Sequence, residues 1–184
     1  MEKNYNESHK PWAEKYRPNK LESIYSQTSI KKSLKKCIKQ KNLPHLLFYG
    51  PSGCGKTSTI FALTKELFPD KLWEERVMEL NASDERGINV VRERIKNFAK
   101  NSVNNSKDNN VPPWKIIILD EADSMTSDSQ FALRRIIEKY SNITRFCIIC
   151  NYKNKIIEPI SSRCSHFRFK SLPIKQIIKS KLNC

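Results

Sequence analysis

The sequence LLFYGPSGCGKTS, residues 46–58, decides the fold of this chain. A short apolar run comes first, a loop of the pattern G-x-x-x-x-G-K-[S/T] follows, and residues 58–67 then have the composition of a helix. The glycines allow successive backbone N–H groups to face one centre, an arrangement that binds phosphate oxygens. The dipole of the following helix favours negative charge at the same centre. The stretch therefore predicts a site for a nucleoside triphosphate.

The residues that close this loop predict how the triphosphate is held. Lys56 brings a positive charge to the β- and γ-phosphates, and the Thr57 hydroxyl can hold Mg²⁺. The alternative, a glycine-rich turn that happens to precede a helix, does not account for the complete pattern. The residues predicted to bind nucleotide here are Gly50, Pro51, Ser52, Gly53, Cys54, Gly55, Lys56, Thr57 and Ser58.

Length and charge limit the possible functions. With 184 residues the chain is long enough for one α/β domain, and its 34 basic against 19 acidic residues give a net charge of +15. Such a balance favours a polyanionic partner, such as nucleic acid or an acidic protein surface, over a merely soluble basic surface. No apolar run approaches the roughly 20 residues that span a bilayer, so we expect an intracellular protein without a membrane partner.

The six cysteines fall mostly inside apolar runs or beside the glycine-rich loop, which predicts free thiols in a reducing compartment. Cys147 and Cys150 have the spacing of a zinc-binding pair. In a strand, however, residues three apart point to opposite faces, and no second pair completes a ligand set. We therefore expect no zinc site.

Apolar runs and helical periodicities alternate along the chain. The predicted strands are 46–49, 76–80, 114–120, 145–150 and 166–169, and the predicted helices are 28–41, 58–67, 88–100 and 128–140. Residues 116–119 are apolar at every position, as in a parallel strand that is covered on both faces. The pattern predicts a layered α/β domain. The lysines of the first helix, which we interpret as a solvated face and not a DNA site, are Lys31, Lys32, Lys35, Lys36 and Lys39.

Polar residues with catalytic potential follow two of the buried strands. Asp120 and Glu121 end one strand, and Asn151 ends another. Ligands of open parallel sheets bind beyond the carboxyl ends of the strands, where the glycine-rich loop also lies. Asp120 is suited to hold Mg²⁺ through water, and Glu121 can polarise an attacking water molecule. The alternative is that these acids merely end a strand.

Several blocks of sequence carry a family resemblance. They are WAEKYRP at 12–18, the glycine-rich Walker A loop, LNASDERG at 80–87, the Walker B acids DEAD at 120–123, RFCIICN at 145–151 and SRC at 162–164. Together they resemble the AAA+ ATPase domain of the small subunits of replication factor C, the eukaryotic sliding-clamp loader. The resemblance covers about residues 11–172. It implies a P-loop NTPase three-layer sandwich of the AAA+ type, with a central five-stranded parallel sheet.

The resemblance also implies roles for individual residues. Tyr16 and Arg17 would contact the adenine side of ATP, and Asn81 would be a switch that holds Glu121 inactive until DNA is engaged. Asn151 would sense the γ-phosphate or order the attacking water. Arg163 would be an arginine finger that acts in trans on ATP bound by the adjacent subunit.

The same resemblance implies partners and a location. The expected cofactors are ATP and Mg²⁺, and the expected partners are the other subunits of a heteropentamer, a PCNA-type sliding clamp and primer-template DNA, in the nucleus. Contacts to DNA would be independent of base sequence and would come from Arg86, Arg92 and Lys155, with Lys153 and Lys115 as weaker candidates.

The chain departs from the family pattern in two respects. Family members continue into a helical lid and a helical collar, whereas this sequence is expected to include only the start of a lid, at 173–184. The ATPase domain is expected at 11–172, and the polar residues 1–10 are expected to form a disordered tail. Without lid and collar we expect weak nucleotide binding and weak activity of the isolated chain. Cys54 replaces the usual threonine, and an exposed thiol there would make the loop sensitive to oxidation.

Two other functions fit parts of the sequence. One is a catalytically weak fragment that binds nucleotide as a structural ligand and acts as an interaction module. The other is a different AAA+ DNA motor, such as a branch-migration motor. The segment at 12–18 and the SRC sequence at 162–164 favour the clamp loader over such a motor.

Overall fold

The computed structural model describes residues 16–83, 88–100 and 111–172. The helices in this part of the chain are α1 (Thr28–Lys39), α2 (Lys56–Leu67), α3 (Asp70–Arg76), α4 (Ile88–Lys100), α5 (Ser127–Tyr140) and α6 (Glu158–Ser161). The strands are β1 (His45–Tyr49), β2 (Val77–Asn81), β3 (Lys115–Asp120), β4 (Thr144–Cys150) and β5 (Cys164–Arg168). Short 3-10 turns occupy Leu21–Ser23, Ala122–Ser124 and Lys153–Lys155.

The strands form one five-stranded parallel sheet in the order β2-β3-β4-β1-β5. The prediction of a central five-stranded parallel sheet is therefore confirmed. The register pairs Tyr49 with Cys150 and Asn81 with Asp120. Because all strands run the same way, the loops that follow β1, β2, β3 and β4 meet at one edge of the sheet.

Apolar clusters cover both faces of the sheet, as the run at 116–119 predicts. Within β3, Ile116 and Ile118 belong to one cluster, while Ile117 and Leu119 belong to the other. The first cluster includes the apolar sides of α1 and α2, and the second includes those of α4 and α5. The sheet therefore lies between two layers of helices.

Two predicted segments differ in the structure. Arg76, which the sequence placed at the start of a strand, ends the short helix α3, and β2 begins one residue later. A seven-residue helix contains too few turns to show a periodicity that could be recognised. The last strand is Cys164–Arg168, so it begins two residues earlier than the predicted 166–169 and leaves Phe169 beyond its end.

Lys115 lies in the interior and not on a DNA-facing surface. Its side chain is buried, its Nζ donates to the carbonyl of Phe98 at 3.0 Å, and it lies 4.6 Å from the Phe98 ring centroid. Burial lowers the pKa of this ammonium group. As the first residue of β3, Lys115 packs beneath α4, and this position argues against a DNA contact.

Candidate nucleotide site

The loop between β1 and α2 is held in place by its glycines and by the end of β5. Gly50 has φ of +148°, and a Cβ atom at this position would lie 2.4 Å from the carbonyl oxygen of Phe169. The Phe169 N–H donates to the carbonyl of Tyr49 at 2.8 Å. Because the backbone of Phe169, just beyond β5, approaches so closely, only glycine fits at the first position of the loop.

Lys56 joins the loop to the end of β4. Its side chain is buried, and its Nζ donates to the carbonyls of Gly50 and Pro51 at 2.8 Å each and to Asn151 Oδ1 at 2.9 Å. A buried ammonium is tolerated only when oxygens surround it. Lys56 and Asn151, which the sequence placed at the same edge, are thus in direct contact.

Thr57 and Asp120 meet across the loop, since Thr57 Oγ1 donates to Asp120 Oδ2 at 2.7 Å. A hydroxyl and a carboxylate are the oxygen ligands that Mg²⁺ prefers, and one or two carboxylates with substrate phosphates usually complete its shell. The pair therefore fits the predicted metal. Among the described residues, no group of three or more His, Cys, Asp or Glu side chains is arranged to hold a metal ion.

A cavity of about 260 Å³ lies over these residues at the carboxyl edge of the sheet. Its lining combines the loop, the acids after β3 and the end of β4. The lining residues are Ser52, Gly53, Gly55, Lys56, Thr57, Ser58, Asp120, Glu121, Ile149, Cys150 and Asn151.

Glu121 has an unusual backbone conformation, with φ of +53° and ψ of +36°. A left-handed residue other than glycine costs on the order of 1–3 kcal/mol, so its surroundings must hold it. Its N–H donates to Asp120 Oδ1 at 2.8 Å, and its carbonyl accepts from the Ser124 N–H at 2.9 Å and the Ser124 hydroxyl at 2.7 Å. The chain turns sharply here, and Glu121 lines the cavity beside Asp120.

Asp123 is a site residue to which sequence reasoning gave no role. Its Oδ2 accepts from the backbone N–H groups of Asn151 and Tyr152, at 3.3 Å each. It thereby fixes the end of β4, which carries Asn151, to the turn after β3. Burial, and then the nearby Asp123 carboxylate, raise the pKa of the Cys150 thiol to about 12. The sequence signal that could have identified Asp123 is the DEAD motif at 120–123, because its last acid follows the strand by three residues.

Asn81 ends β2 and lies beside Asp120 in the register. Its Oδ1 accepts from the Ser83 N–H at 3.0 Å and from the Ser83 hydroxyl at 2.9 Å. The neighbouring Ala82 N–H donates to the Asp120 carbonyl at 2.9 Å. Asn81 is therefore one strand away from the acids, and its role as a switch stays a prediction.

The two residues predicted to contact adenine lie at the beginning of the described chain. The Arg17 guanidinium lies 4.4 Å from the ring centroid of Phe61, a residue of α2. Tyr16 is about half exposed. Neither residue lines the cavity over the loop, and contact of either with the base stays a prediction.

Arg163 lies at the amino-terminal ends of the strands, whereas the cavity lies beyond their carboxyl-terminal ends. It immediately precedes β5, whereas the glycine-rich loop follows the carboxyl end of β1, the parallel neighbour of β5. The five residues of β5 span roughly 16 Å, so these two features are separated by the length of a strand. Its guanidinium instead contacts Glu138 on α5, with Nη2 2.6 Å from Oε1.

Lys155 is exposed beyond the end of β4, with its Nζ 5.4 Å from the ring centroid of Tyr152. Its carbonyl accepts from the Gln130 amide at 2.9 Å, which ties this segment to the start of α5. Arg86 and the side chain of Arg92 lie outside the described residues. The predicted DNA contacts at these positions stay predictions.

Cys54 is buried in the loop, with only 2% of its surface accessible, so the condition for sensitivity to oxidation, an exposed thiol, is not met. Its side chain points into the apolar cluster that includes α1 and α2, and its Sγ lies 3.9 Å from Lys56 Nζ. Because the thiol fills core volume, we no longer expect it to be an easily oxidised group. Within the described part of the chain, the other cysteines are also free thiols, at Cys37, Cys147, Cys150 and Cys164.

The geometry agrees with what sequence comparison finds. Residues 46–172 match the family described as "ATPase family associated with various cellular activities (AAA)". The chain belongs to the AAA family of ATPases. None of the helices in the described ranges of this AAA chain is both long and apolar enough to cross a membrane.

Curated relatives of this AAA chain bear the names expected from the sequence blocks. It is 57% identical over 173 residues to replication factor C subunit 2 of Saccharomyces cerevisiae, covering 91% of this chain and 49% of that protein. It is 58% identical over 167 residues to replication factor C subunit 4 of Homo sapiens, covering 90% and 46%. The resemblance to replication factor C subunits is confirmed, and the chain spans about half the length of these relatives.

Solved structures agree on the fold. A RuvB structure from Thermotoga maritima superposes with a TM-score of 0.65 at 18% identity, covering 91% of this chain and 55% of that chain. A second RuvB variant gives a TM-score of 0.67 at 16% identity, covering 91% and 54%. At such low identity the likeness concerns the fold alone. Together with the AAA family match over residues 46–172, this fold confirms the predicted P-loop sandwich of the AAA+ type.

Proposed function

We propose that this chain is an ATP-binding and ATP-hydrolysing subunit of a replication factor C clamp loader, which opens a sliding clamp and loads it at primer-template junctions. The observation that carries the proposal is the group of side chains around one cavity. Lys56, Thr57, Asp120, Glu121 and Asn151 all line it, and bonds of 2.7–2.9 Å join Lys56 to Asn151 and Thr57 to Asp120. The high sequence identity to replication factor C subunits supports a clamp-loader subunit over other AAA ATPases.

Each of these residues has a step in hydrolysis. The loop N–H groups and Lys56 hold the β- and γ-phosphates, and Lys56 offsets the charge that develops on them. Glu121 accepts the proton of the attacking water, while Asn151 orients that water or the γ-phosphate. Thr57 and Asp120 would hold Mg²⁺, which supplies charge neutralisation at the phosphates when it is bound.

The site is completed by a neighbouring chain in this proposal. Arg163 cannot serve the cavity of its own chain, because it lies at the opposite edge of the sheet, so it acts on ATP bound by the adjacent subunit. An arginine finger supplied in trans is worth about 10³–10⁵ in rate, or some 4–7 kcal/mol. Hydrolysis therefore depends on assembly, and assembly with the clamp and DNA couples hydrolysis to loading in the nucleus.

Turnover by a reconstituted mixture tests the proposal. The chain is combined with the other replication factor C subunits, a PCNA-type clamp and primed DNA, and ATP hydrolysis is measured at fixed salt. We expect stimulation over the chain alone. Lys56→Ala should remove nucleotide binding and turnover at this site, whereas Glu121→Gln should retain ATP binding and lose turnover, because only the water-activating carboxylate is gone.

A different result would favour the interaction module. If the wild-type chain binds ATP but Glu121→Gln leaves the turnover of every mixture unchanged, the site is catalytically silent. If the mixture is stimulated by branched DNA and not by the clamp with primed DNA, the chain is part of another AAA+ DNA motor.

A further inference from the structure

The Glu138 side chain contacts two arginines at the end of the sheet that is opposite the cavity. Glu138, in the last turn of α5, accepts from Arg134 Nε at 2.9 Å and lies 2.6 Å from Arg163 Nη2, with both contacts at the same oxygen, Oε1. Arg163 Nη1 also donates to the carbonyl of Pro159 at 2.5 Å. Two anchors on different segments therefore hold the Arg163 guanidinium.

The charges of this cluster do not balance. Two guanidinium groups share one carboxylate, and the positive charge of Arg135 also acts on Glu138. The hydrogen bond from Arg134, and then the surrounding arginine charges, lower the pKa of Glu138, so its carboxyl group stays ionised at neutral pH. The cluster keeps a net positive charge, which suits an anionic ligand from outside this chain.

Stability alone does not explain the arrangement. The side chains of Glu138 and Arg163 are 38% and 39% exposed, and ion pairs this open to solvent contribute little to folding. A fixed conformation, by contrast, favours the binding of phosphate by a long side chain. A free arginine loses much rotamer freedom on binding, whereas one that is already anchored loses less.

We infer that Glu138 is a positioning residue, which orients Arg163 toward the triphosphate bound by an adjacent subunit. The inference rests on the proposed function, since it needs Arg163 to act in trans. Arg163 has five N–H donors, and the contacts to Glu138 and Pro159 use two of them. The remaining N–H donors are available to the phosphate of the neighbouring subunit. Glu138 therefore orients the Arg163 guanidinium without using all of its donors.

The test measures the part of turnover that depends on Arg163, defined as the rate of the wild-type assembly minus that of Arg163→Ala. We expect Glu138→Ala to retain about a tenth of this part, with the KM for ATP unchanged, because alignment matters in the transition state. Glu138→Gln should retain about a third, since its amide oxygen still accepts hydrogen bonds. The double variant Glu138→Ala with Arg163→Ala should equal Arg163→Ala alone.

A control separates positioning from a general charge effect. Glu93→Gln removes another exposed carboxylate, which lies 3.7 Å from Lys96. This variant should keep the full Arg163-dependent rate. All variants should unfold at the same temperature as the wild type. In chains that also carry Glu121→Gln, Glu138→Ala should still lower the remaining turnover, because its effect is on the neighbour.

Several outcomes would overturn the inference. Wild-type rates for both Glu138 variants would do so, as would a further loss when Glu138→Ala is added to Arg163→Ala. Turnover that depends on Lys56 but not on Arg163 would refute this inference and leave the ATPase proposal standing. No Lys56-dependent turnover in any wild-type mixture would refute both.

Discussion

Gly50 is the residue at which the nucleotide loop touches the backbone just beyond the neighbouring strand, β5. A Cβ atom there would lie 2.4 Å from the Phe169 carbonyl, and its φ of +148° is rare for any other residue. Backbone atoms cannot move aside as a flexible side chain can. The loop that binds phosphate and the end of β5 are therefore fitted to each other at this one position.

We predict that Gly50→Ala lowers the free energy of unfolding by about 2–4 kcal/mol, through overpacking and backbone strain. Gly53→Ala is the matched control, because Gly53 also has a positive φ of +71° but a Cβ atom added there would meet no atom within 4 Å. That variant should lose only about 1 kcal/mol. Urea unfolding of the three proteins measures the difference, and equal losses would contradict the steric explanation.

Sequence reasoning brought together residues that stand in recognisable local patterns, although their roles stay predictions. Lys56, Thr57, Asp120 and Asn151 follow recognisable runs, and all of them line the cavity. It did not find the contact between Glu138 and Arg163, because charged residues on a helix and a distant turn give no spacing signal. The buried position of Cys54 was also missed, since an eight-residue motif does not show which way a side chain points.

His45, the first residue of β1, contacts β4 through a side chain that must be neutral. The Phe146 N–H donates to His45 Nδ1 at 3.1 Å, which requires that this nitrogen carry no proton. Burial, and then the charge of Arg145, lower the pKa of His45 to about 4. The contact between the start of β1 and β4 is therefore sensitive to acid.

The sign of the pH effect follows from this depressed pKa. The folded protein binds the His45 proton less readily than the unfolded chain, whose imidazole titrates near 6.5. The stabilisation is complete above pH 6.5 and is lost as the pH falls toward 4. At pH 5 we expect a loss of at most about 2 kcal/mol, because part of the ring faces solvent.

The prediction is checked with His45→Asn, whose amide oxygen can accept the same bond but does not titrate. Unfolding free energies at pH 7.5 and pH 5 should fall less for the variant than for the wild type. A similar fall in both proteins would mean that other groups cause the acid sensitivity.

Elements were predictable in proportion to their length and burial. The strands predicted at 114–120 and 145–150 and the helix predicted at 128–140 are long and strongly patterned, and the structure has them within one or two residues. Helix α3 was missed because it is short and lies directly before β2. Lys115 was named as a weaker candidate for a DNA contact, but a lysine at the end of an apolar strand can extend its aliphatic chain beneath a helix and bury its charge.

The whole molecule carries a net charge of +15, and the proposed DNA contacts concern only a part of it. Each phosphate that a lysine neutralises contributes about 0.9 to the slope of log affinity against log salt. Lys155, exposed beyond the end of β4, is expected to make one such contact, whereas Lys32, Lys36 and Lys39 are exposed on α1.

We predict that Lys155→Gln reduces this slope by about 0.9 in the assembly bound to primer-template DNA. Lys32→Gln removes the same charge from the exposed side of α1 and should leave the slope unchanged. Fluorescence anisotropy over a series of salt concentrations provides the measurement. If both variants change the slope equally, the effect is that of net charge and not of a contact.

The separation of the cavity from Arg163 also limits how copies or relatives of this chain can associate. In a two-fold symmetric pair one patch of each chain meets the same patch of the other, so the cavity and Arg163 would both have to lie on that patch. Their separation by the length of a strand favours head-to-tail association, in a ring or an open spiral. In an open spiral, one terminal chain has a cavity that no finger reaches, and the chain at the other end has a finger with no triphosphate to contact. The number of complete sites is then one fewer than the number of chains.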